Sequence, residues 1–72
     1  MDKNLQVDFG KRLKALRESK GLKQREMAEV MKIQLRQYQR YEYGEVGVSL
    51  ETLNFFADYF NVTTDYLLGR EQ

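Results

Sequence analysis

The apolar residues of this chain recur with the three- and four-residue spacing of α-helices. In the first such segment, Phe9, Leu13 and Leu16 stand at i, i+4 and i+7, with charged residues between them. This pattern predicts an amphipathic helix that ends near Gly21. A shorter second helix is predicted over residues 24–31, where two Met and one Ala share a face.

Two further helices are predicted in the last third of the chain. Ser49 is a good N-cap, and the residues after it predict a helix that runs to about Phe60. The side chains predicted to point inward are Leu50, Leu53, Phe56, Ala57 and Phe60. A last short helix is predicted in TTDYLLG, residues 63–69, with Thr63 or Thr64 as its cap.

Between these pairs lies the segment 34–44, QLRQYQRYEYG, which has three Gln, three Tyr and two Arg but almost no aliphatic residues. A rotation of 100° per residue divides a helix here into two sides. One side carries Gln34, Tyr38 and Tyr41; the other carries Arg36, Arg40 and Tyr43, flanked by Leu35 and Gln39. The first side fits a protein core. Strand patterns are absent, so the sequence predicts an all-α domain of five short helices.

The composition narrows the possible functions. The 72 residues are enough for one domain, with its core in residues 9–69 and short tails. The sequence has neither Cys nor His, which removes the commonest zinc ligands, the usual general base and the thiol nucleophile. We therefore expect no metal, no cofactor and no enzymatic activity. No apolar run approaches the roughly 20 residues of a membrane span, and MDKNLQVDFG does not resemble a signal peptide. We expect a cytoplasmic protein.

The charges are distributed unevenly along the chain. Residues 1–44 contain eleven Lys or Arg and six acidic residues, a formal charge of +5, whereas residues 45–72 contain one Arg and five acidic residues, a formal charge of −4. A basic half suits a polyanion such as nucleic acid. The alternative is a mixed, solvated surface, which many small domains have.

The second and third helices begin eight to ten residues apart, on either side of MKIQ, as in a helix-turn-helix. Gln24 opens the first of them, the small Ala28 allows close helix contact, and Ile33 follows the turn. With these features, residues 9–69 resemble the phage repressor/Cro (XRE-type) helix-turn-helix family. The segments that carry the resemblance are FGKRLKALRESKGLKQREMAEVM, RYEYG, SLETLNFFADYFNV and DYLLG. The resemblance implies a compact five-helix lambda-repressor-like domain that binds double-stranded DNA, with the third helix in the major groove.

The resemblance also implies which side chains would contact the bases. Arg36 and Arg40 are the leading candidates, since Arg binds guanine O6 and N7 bidentately. Gln39 would bind adenine or bridge to a phosphate. Leu35 stands where the family usually has a polar residue, and it would either contact a thymine methyl group or pack back on the second helix.

Other residues are expected to contact phosphates or to hold the helices in place. The candidate phosphate contacts are Lys23, Gln24, Gln34, Gln37 and Tyr43, with a solvated surface lysine as the alternative for Lys23. Arg17 and Glu42 match positions that form a charge pair between the first and third helices of the family. We expect this pair to be partly buried and to have a structural role.

Several residues depart from the family pattern. Lys32 stands where the family prefers Gly, so either the backbone there is left-handed and strained or the turn is shifted. Tyr38 replaces the usual Ile or Val, and Gln34 replaces the usual Ser or Thr N-cap. Glu45 lies in a loop that is often basic, where it would repel phosphate.

On the fourth helix, Phe55 and Tyr59 fall opposite the predicted inward residues, which suggests an exposed aromatic surface. With Tyr66 on the fifth helix, they predict a homodimer interface, unless they are merely scattered exposed aromatics. The expected function is sequence-specific DNA binding by a dimeric transcriptional regulator, a repressor acting on a dyad-symmetric operator. The alternative is a protein-interaction module, such as an antitoxin-type helix-turn-helix protein that binds a partner through its acidic, aromatic half.

Overall fold

The computed structural model describes residues 2–70, and in that range the only regular secondary structure is helical. The helices are α1 (Lys3–Ser19), α2 (Gln24–Met31), α3 (Leu35–Glu42), α4 (Leu50–Phe60) and α5 (Thr64–Leu67). They pack into a body of 30 × 23 × 20 Å. This architecture confirms the predicted all-α, five-helix fold. No helix in residues 2–70 has the length and apolar character needed to cross a membrane.

Helix α1 begins six residues before Phe9, in a segment that the apolar pattern assigns to a tail. The Asp2 carboxylate caps it by accepting hydrogen bonds from the backbone N–H groups of Asn4 and Leu5, at 2.7 and 3.2 Å. One turn later, Gln6 Nε2 donates to the carbonyl oxygen of Gly44 at 3.1 Å. The first turns of α1 are therefore capped locally and attached to the residues that follow α3.

Each of the five helices is followed by a residue in the left-handed conformation. These residues are Gly21, Lys32, Gly44, Asn61 and Gly69. In every case the next N–H bonds back to a carbonyl five residues earlier, as in a Schellman motif; Ile33 N donates to Ala28 O at 3.0 Å. Lys32 has φ 58° and ψ 42°, so the turn is not shifted. A lysine is held there in a conformation that costs about 1–2 kcal/mol for a residue with a Cβ.

The core is built around Phe56 of α4, which is completely buried. Its ring is surrounded by Phe9, Tyr38 and Tyr41, with centroid distances of 5.9, 6.4 and 5.9 Å. Tyr38 is also completely buried, as its position on the inner side of α3 predicts. The larger ring in place of Ile or Val is accommodated by edge contact with Phe56.

Two predictions for α4 are wrong. Leu50, predicted to point inward, is 84% exposed, because it is the first residue of the helix and lies before the helix reaches the core. Phe55 and Tyr59, predicted to point away from the core, are half-buried and pack against it. Their rings stack on each other at 5.7 Å, and Lys20 Nζ lies 5.3 Å from the Tyr59 ring centroid. The buried stripe of α4 is therefore wider than the apolar spacing suggests.

Gly10 sets the distance between α1 and α3. An added Cβ at this buried glycine would lie 2.3 Å from the carbonyl oxygen of Glu42, well inside van der Waals contact. The backbones of the two helices therefore approach more closely than any other residue would permit. This contact and the packing of α2 against α3 fix α3 on the domain from two sides.

Candidate nucleic-acid interface

Helices α2 and α3 are joined by residues 32–34 alone. The left-handed Lys32 reverses the chain direction at the end of α2, and Ile33 then packs against the buried core. This places α3 across α2 with one side buried. The opposite side of α3 is exposed.

The exposed side of α3 carries the residues predicted to face outward. Arg36, Gln37, Arg40 and Tyr43 are exposed, and Tyr43 is 55% accessible. Gln34, which the helix rotation places on the core side, is also exposed, because it precedes the first helical residue and makes no capping bond.

Leu35 and Gln39 lie at the borders of this surface and are half-buried. Within the described residues, Leu35 does not belong to the apolar side chains that pack against the core cluster, unlike its neighbour Ile33. The side chain therefore lies at the edge of the exposed face.

Two shallow concavities give the exposed side of α3 its shape. The larger, of about 440 Å³, is bounded by α3 residues and the loop after the helix: Gln34, Arg36, Gln37, Arg40, Tyr41, Val46 and Gly47. The smaller, of about 100 Å³, is bounded by Arg36, Gln39, Arg40, Tyr43 and Glu45. Arg36 and Arg40 line both concavities, so the surface is polar and open and carries two cationic hydrogen-bond donors.

One acidic residue lies on this basic surface. The Glu45 carboxylate is 3.7 Å from Nε of Arg40, and both side chains are about half exposed. A surface pair of this kind contributes at most about 1 kcal/mol to stability. Its main consequence is electrostatic, because it places a negative charge beside Arg40, one of the two leading candidates for a base contact.

On the opposite side of α3, Arg17 and Glu42 form a buried ion pair. Arg17 Nε and Nη2 donate to the two carboxylate oxygens at 2.6 and 3.3 Å, and Nη1 donates to Leu22 O at 2.7 Å. The side chains are 9% and 0% accessible, so the pair is buried rather than partly buried as expected. The hydrogen bond to Glu42 raises the pKa of Arg17.

Two further donors bind the same carboxylate, and only one of them could be inferred from sequence spacing. The Tyr38 hydroxyl donates to Glu42 Oε2, and Gln24 Nε2 donates to Oε1 at 3.0 Å. Burial, followed by the hydrogen bond to Glu42, raises the pKa of Tyr38. Tyr38 and Glu42 stand at i and i+4 on one helix, which is a detectable spacing. Gln24 donates its hydrogen bond from a different helix, so no local sequence pattern predicts it.

Gln24 also connects this buried network to the exposed surface. Its Oε1 accepts a hydrogen bond from Gln39 Nε2 at 3.0 Å. Lys23, directly before α2, is exposed, and its backbone N–H donates to the Glu26 carboxylate at 2.8 Å. Of the two residues predicted to bind phosphate at the start of α2, Lys23 is therefore exposed and Gln24 is half-buried and hydrogen-bonded within the protein.

Of the three predicted dimer residues, Phe55 and Tyr59 stack on each other, whereas Tyr66 lies in a different groove. Phe55 lines a groove of about 310 Å³ with residues from the end of α2 and the turn that follows it, including Val30 and Ile33. Tyr66 lines a separate groove of about 270 Å³ with residues of α1. Among residues 2–70, the ring contacts of Phe55 and Tyr59 do not include Tyr66.

A short helix, a tight turn and a second helix with one buried and one exposed side define the helix-turn-helix class of domains. Comparison with known families agrees with this geometry. Residues 13–67 match the family model described as Helix-turn-helix (HTH_3), and the chain belongs to this family.

Two curated proteins of Bacillus subtilis (strain 168) are similar to this chain. One is the SPbeta prophage-derived uncharacterized HTH-type transcriptional regulator YonR, 42% identical over 60 residues, which cover 83% of this chain and 56% of YonR. The other is the HTH-type transcriptional regulator ImmR, 36% identical over 66 residues, which cover 92% of this chain and 52% of ImmR. The chain thus spans about half the length of these relatives. No solved structure gives a significant match.

Proposed function

We propose that this domain binds double-stranded DNA in a sequence-specific manner and regulates transcription, acting as a repressor in the cytoplasm. The observation that carries the proposal is the two-sided construction of α3. Tyr38 and Glu42 bury one side, while Arg36 and Arg40 are exposed on the other. An exposed helix with two guanidinium groups fits the major groove, where Arg binds guanine bidentately. The relatives named as transcriptional regulators support the same assignment.

The proposed contacts fall into two groups according to their position. Side chains on the exposed face and at its borders contact bases: Arg36, Arg40, Gln39 and Leu35. Side chains around that face contact phosphates: Lys23, Gln24, Gln34, Gln37 and Tyr43. Gln24 has one N–H left for a phosphate after its bond to Glu42. Base contacts determine sequence preference, whereas phosphate contacts raise affinity for every sequence.

Selection of binding sites from a random duplex pool at low salt, followed by mobility shift, tests the proposal. We expect a dyad-symmetric site. Arg36→Ala and Arg40→Ala should relax the preference at one base pair each, by about 1–3 kcal/mol of discrimination. Gln24→Ala should weaken binding to all sequences. If no preferred site emerges, the proposed function is wrong. If all three variants lose affinity uniformly, the division into base and phosphate contacts is wrong.

We further propose that the domain binds its operator as a homodimer. A twofold dimer would present two copies of α3 about 34 Å apart, one for each half-site. The face of α4 that carries Phe55 and Tyr59 is the proposed contact, because the groove beside Phe55 is lined in part by apolar side chains and Leu50, at the start of α4, is 84% exposed. Tyr66 is proposed as a second contact.

Light scattering coupled to gel filtration tests the dimer with Leu50→Lys, Phe55→Lys and Tyr66→Lys. We expect a dimer mass for the wild type and a monomer mass for Phe55→Lys. Since Phe55 is half-buried, its variant must retain a cooperative melting transition. Leu50→Lys, at a highly exposed position, gives the same test without that concern. A wild type that is monomeric both free and on DNA would contradict the dimer.

A further inference from the structure

Four side chains form a continuous line of hydrogen bonds from the interior to the DNA-facing surface: Arg17, Glu42, Gln24 and Gln39. We propose that the buried Glu42 carboxylate fixes the orientation of the Gln39 amide through Gln24, and that Gln39 is therefore a specificity-determining contact for adenine. This inference rests on the proposed DNA binding.

The first step is the chemistry of Glu42. Its carboxylate is paired with Arg17 at 2.6 Å and also accepts from the Tyr38 hydroxyl. An ionised carboxylate can only accept hydrogen bonds. The Gln24 atom that lies 3.0 Å from Glu42 Oε1 must therefore be the amide nitrogen. The orientation of a glutamine amide is usually assigned from its hydrogen-bond network. Here the Glu42 carboxylate can only accept, so the Gln24 amide has a single possible orientation.

The second step carries this orientation outward. With its nitrogen directed at Glu42, Gln24 presents its oxygen to Gln39. Gln39 must then direct its own nitrogen to that oxygen, at 3.0 Å. One N–H and the Oε1 of Gln39 remain, and neither has a hydrogen bond to another residue in the described part of the chain. The half-buried Gln39 is held at the edge of the small concavity beside Arg36 and Arg40.

The third step is to ask which base the remaining N–H and Oε1 of Gln39 would bind. In the major groove, adenine presents the N7 acceptor beside the N6 donor, which an amide with one N–H and one oxygen complements. Guanine presents two acceptors, N7 and O6, so one of them would face the Gln39 oxygen. That guanine acceptor and the Gln39 oxygen would repel each other. Rotation of the Gln39 amide would relieve the repulsion, but it would also break the hydrogen bond to Gln24. The buried carboxylate thus adds discrimination against guanine at a site it does not touch.

Base-by-base affinity measurements on the selected site test this positioning role. Adenine and guanine are compared at every position of one half-site, for the wild type and three variants. The wild type should prefer adenine by on the order of tenfold at one position. Gln39→Ala should abolish that preference. Gln24→Met, which has similar length but no amide, should reduce it to about twofold or less while leaving the other positions unchanged. Asn4→Leu, which removes an exposed side-chain amide on α1, is the control and should change none of the ratios.

The possible failures are distinguishable. If the wild type binds no duplex, the proposed function is wrong. If it binds a site and Gln39→Ala keeps every base preference, Gln39 is not the adenine contact. If Gln39→Ala loses the preference but Gln24→Met keeps it, the amide is not oriented from the interior. If Gln24→Met does not fold, hydrogen exchange of the side-chain amides in the DNA-free wild type tests the orientation of Gln39 instead. The amides of Gln24 and Gln39 should exchange more slowly than that of Gln37, and equal rates would overturn the proposal.

Discussion

Replacing Tyr38 by Phe removes one hydroxyl from the centre of the domain and leaves the ring in place. Tyr38 is completely buried, and its hydroxyl donates to Glu42, whose side chain is also inaccessible. A hydrogen bond to a charged group contributes about 1.5–3 kcal/mol to stability. In the variant, Glu42 keeps Arg17 and Gln24 as donors, so no charge is left unpaired. We therefore expect a loss of about 2 kcal/mol, less than the roughly 3–5 kcal/mol of a broken buried ion pair.

The same hydroxyl should make stability depend on pH in the alkaline range. The pKa of Tyr38 is raised above its ordinary value of 10.0, first by burial and then by the hydrogen bond to Glu42. Above about pH 10 the unfolded chain loses this proton while the folded state retains it, so stability falls as pH rises. The fall approaches about 1.4 kcal/mol per pH unit. The wild type should be more stable than Tyr38→Phe by the full amount of about 2 kcal/mol below pH 10, and this difference in the free energy of unfolding should vanish at about pH 11.5.

Urea unfolding followed by far-ultraviolet circular dichroism measures both quantities, at neutral pH and at a series of alkaline values. Tyr43→Phe is the control, because Tyr43 is 55% exposed and its replacement should alter neither stability nor its pH dependence. The reasoning is refuted if Tyr38→Phe is as stable as the wild type at neutral pH. A loss that stays the same at all pH values would refute the assignment of the alkaline instability to this hydroxyl.

Three further substitutions test other features. Lys32→Gly should raise stability by about 1 kcal/mol and Tm by about 4–8 °C, because φ 58° carries no steric penalty for Gly; an unchanged Tm would contradict the strain. Gly10→Ala should lower Tm, since a Cβ 2.3 Å from the Glu42 carbonyl oxygen outweighs the about 1 kcal/mol of helix propensity that Ala adds; a higher Tm would disprove the close helix contact. Glu45→Gln should strengthen binding to every duplex by a factor of about two to five, because a negative charge beside the candidate interface is removed. Fluorescence titration checks this, with Glu51→Gln on α4 as the control, and equal effects of the two substitutions would show that the position of Glu45 is not special.

The helices and the helix-turn-helix could be predicted because their signals are local. Apolar spacing identifies α1 and α2, and Ser49 marks the start of α4. The same spacing fails within α4, where apolar or aromatic residues occupy seven of eleven positions and leave no clear polar face. The helix rotation therefore misplaced Leu50 and Phe55. Only the packing of neighbouring helices determines which of these side chains is covered.

The buried end of the candidate site could be predicted only in part. The pairing of Arg17 with Glu42 follows from the family resemblance, but its near-complete burial depends on how closely α1 and α3 approach, which Gly10 permits. The bond from Gln24 to Glu42 joins residues 18 positions apart on different helices, and no periodicity encodes it. The N-terminal turns of α1 were missed because their cap, Asp2, precedes a segment without a regular apolar face.

The unusual composition of α3 follows from the charge that it buries. A tyrosine can replace an aliphatic residue in the core here because Glu42, one turn later, accepts a hydrogen bond from its hydroxyl group. A glutamine can likewise stand at the start of α2, at the edge of the core, because the same carboxylate accepts a hydrogen bond from its side-chain amide. Polar side chains that would be costly to bury alone are thus stabilised together by one ionised group. In this domain the hydrogen bonds that hold α3 in place also reach the surface that we propose contacts DNA, so stability and base preference should respond to the same substitutions.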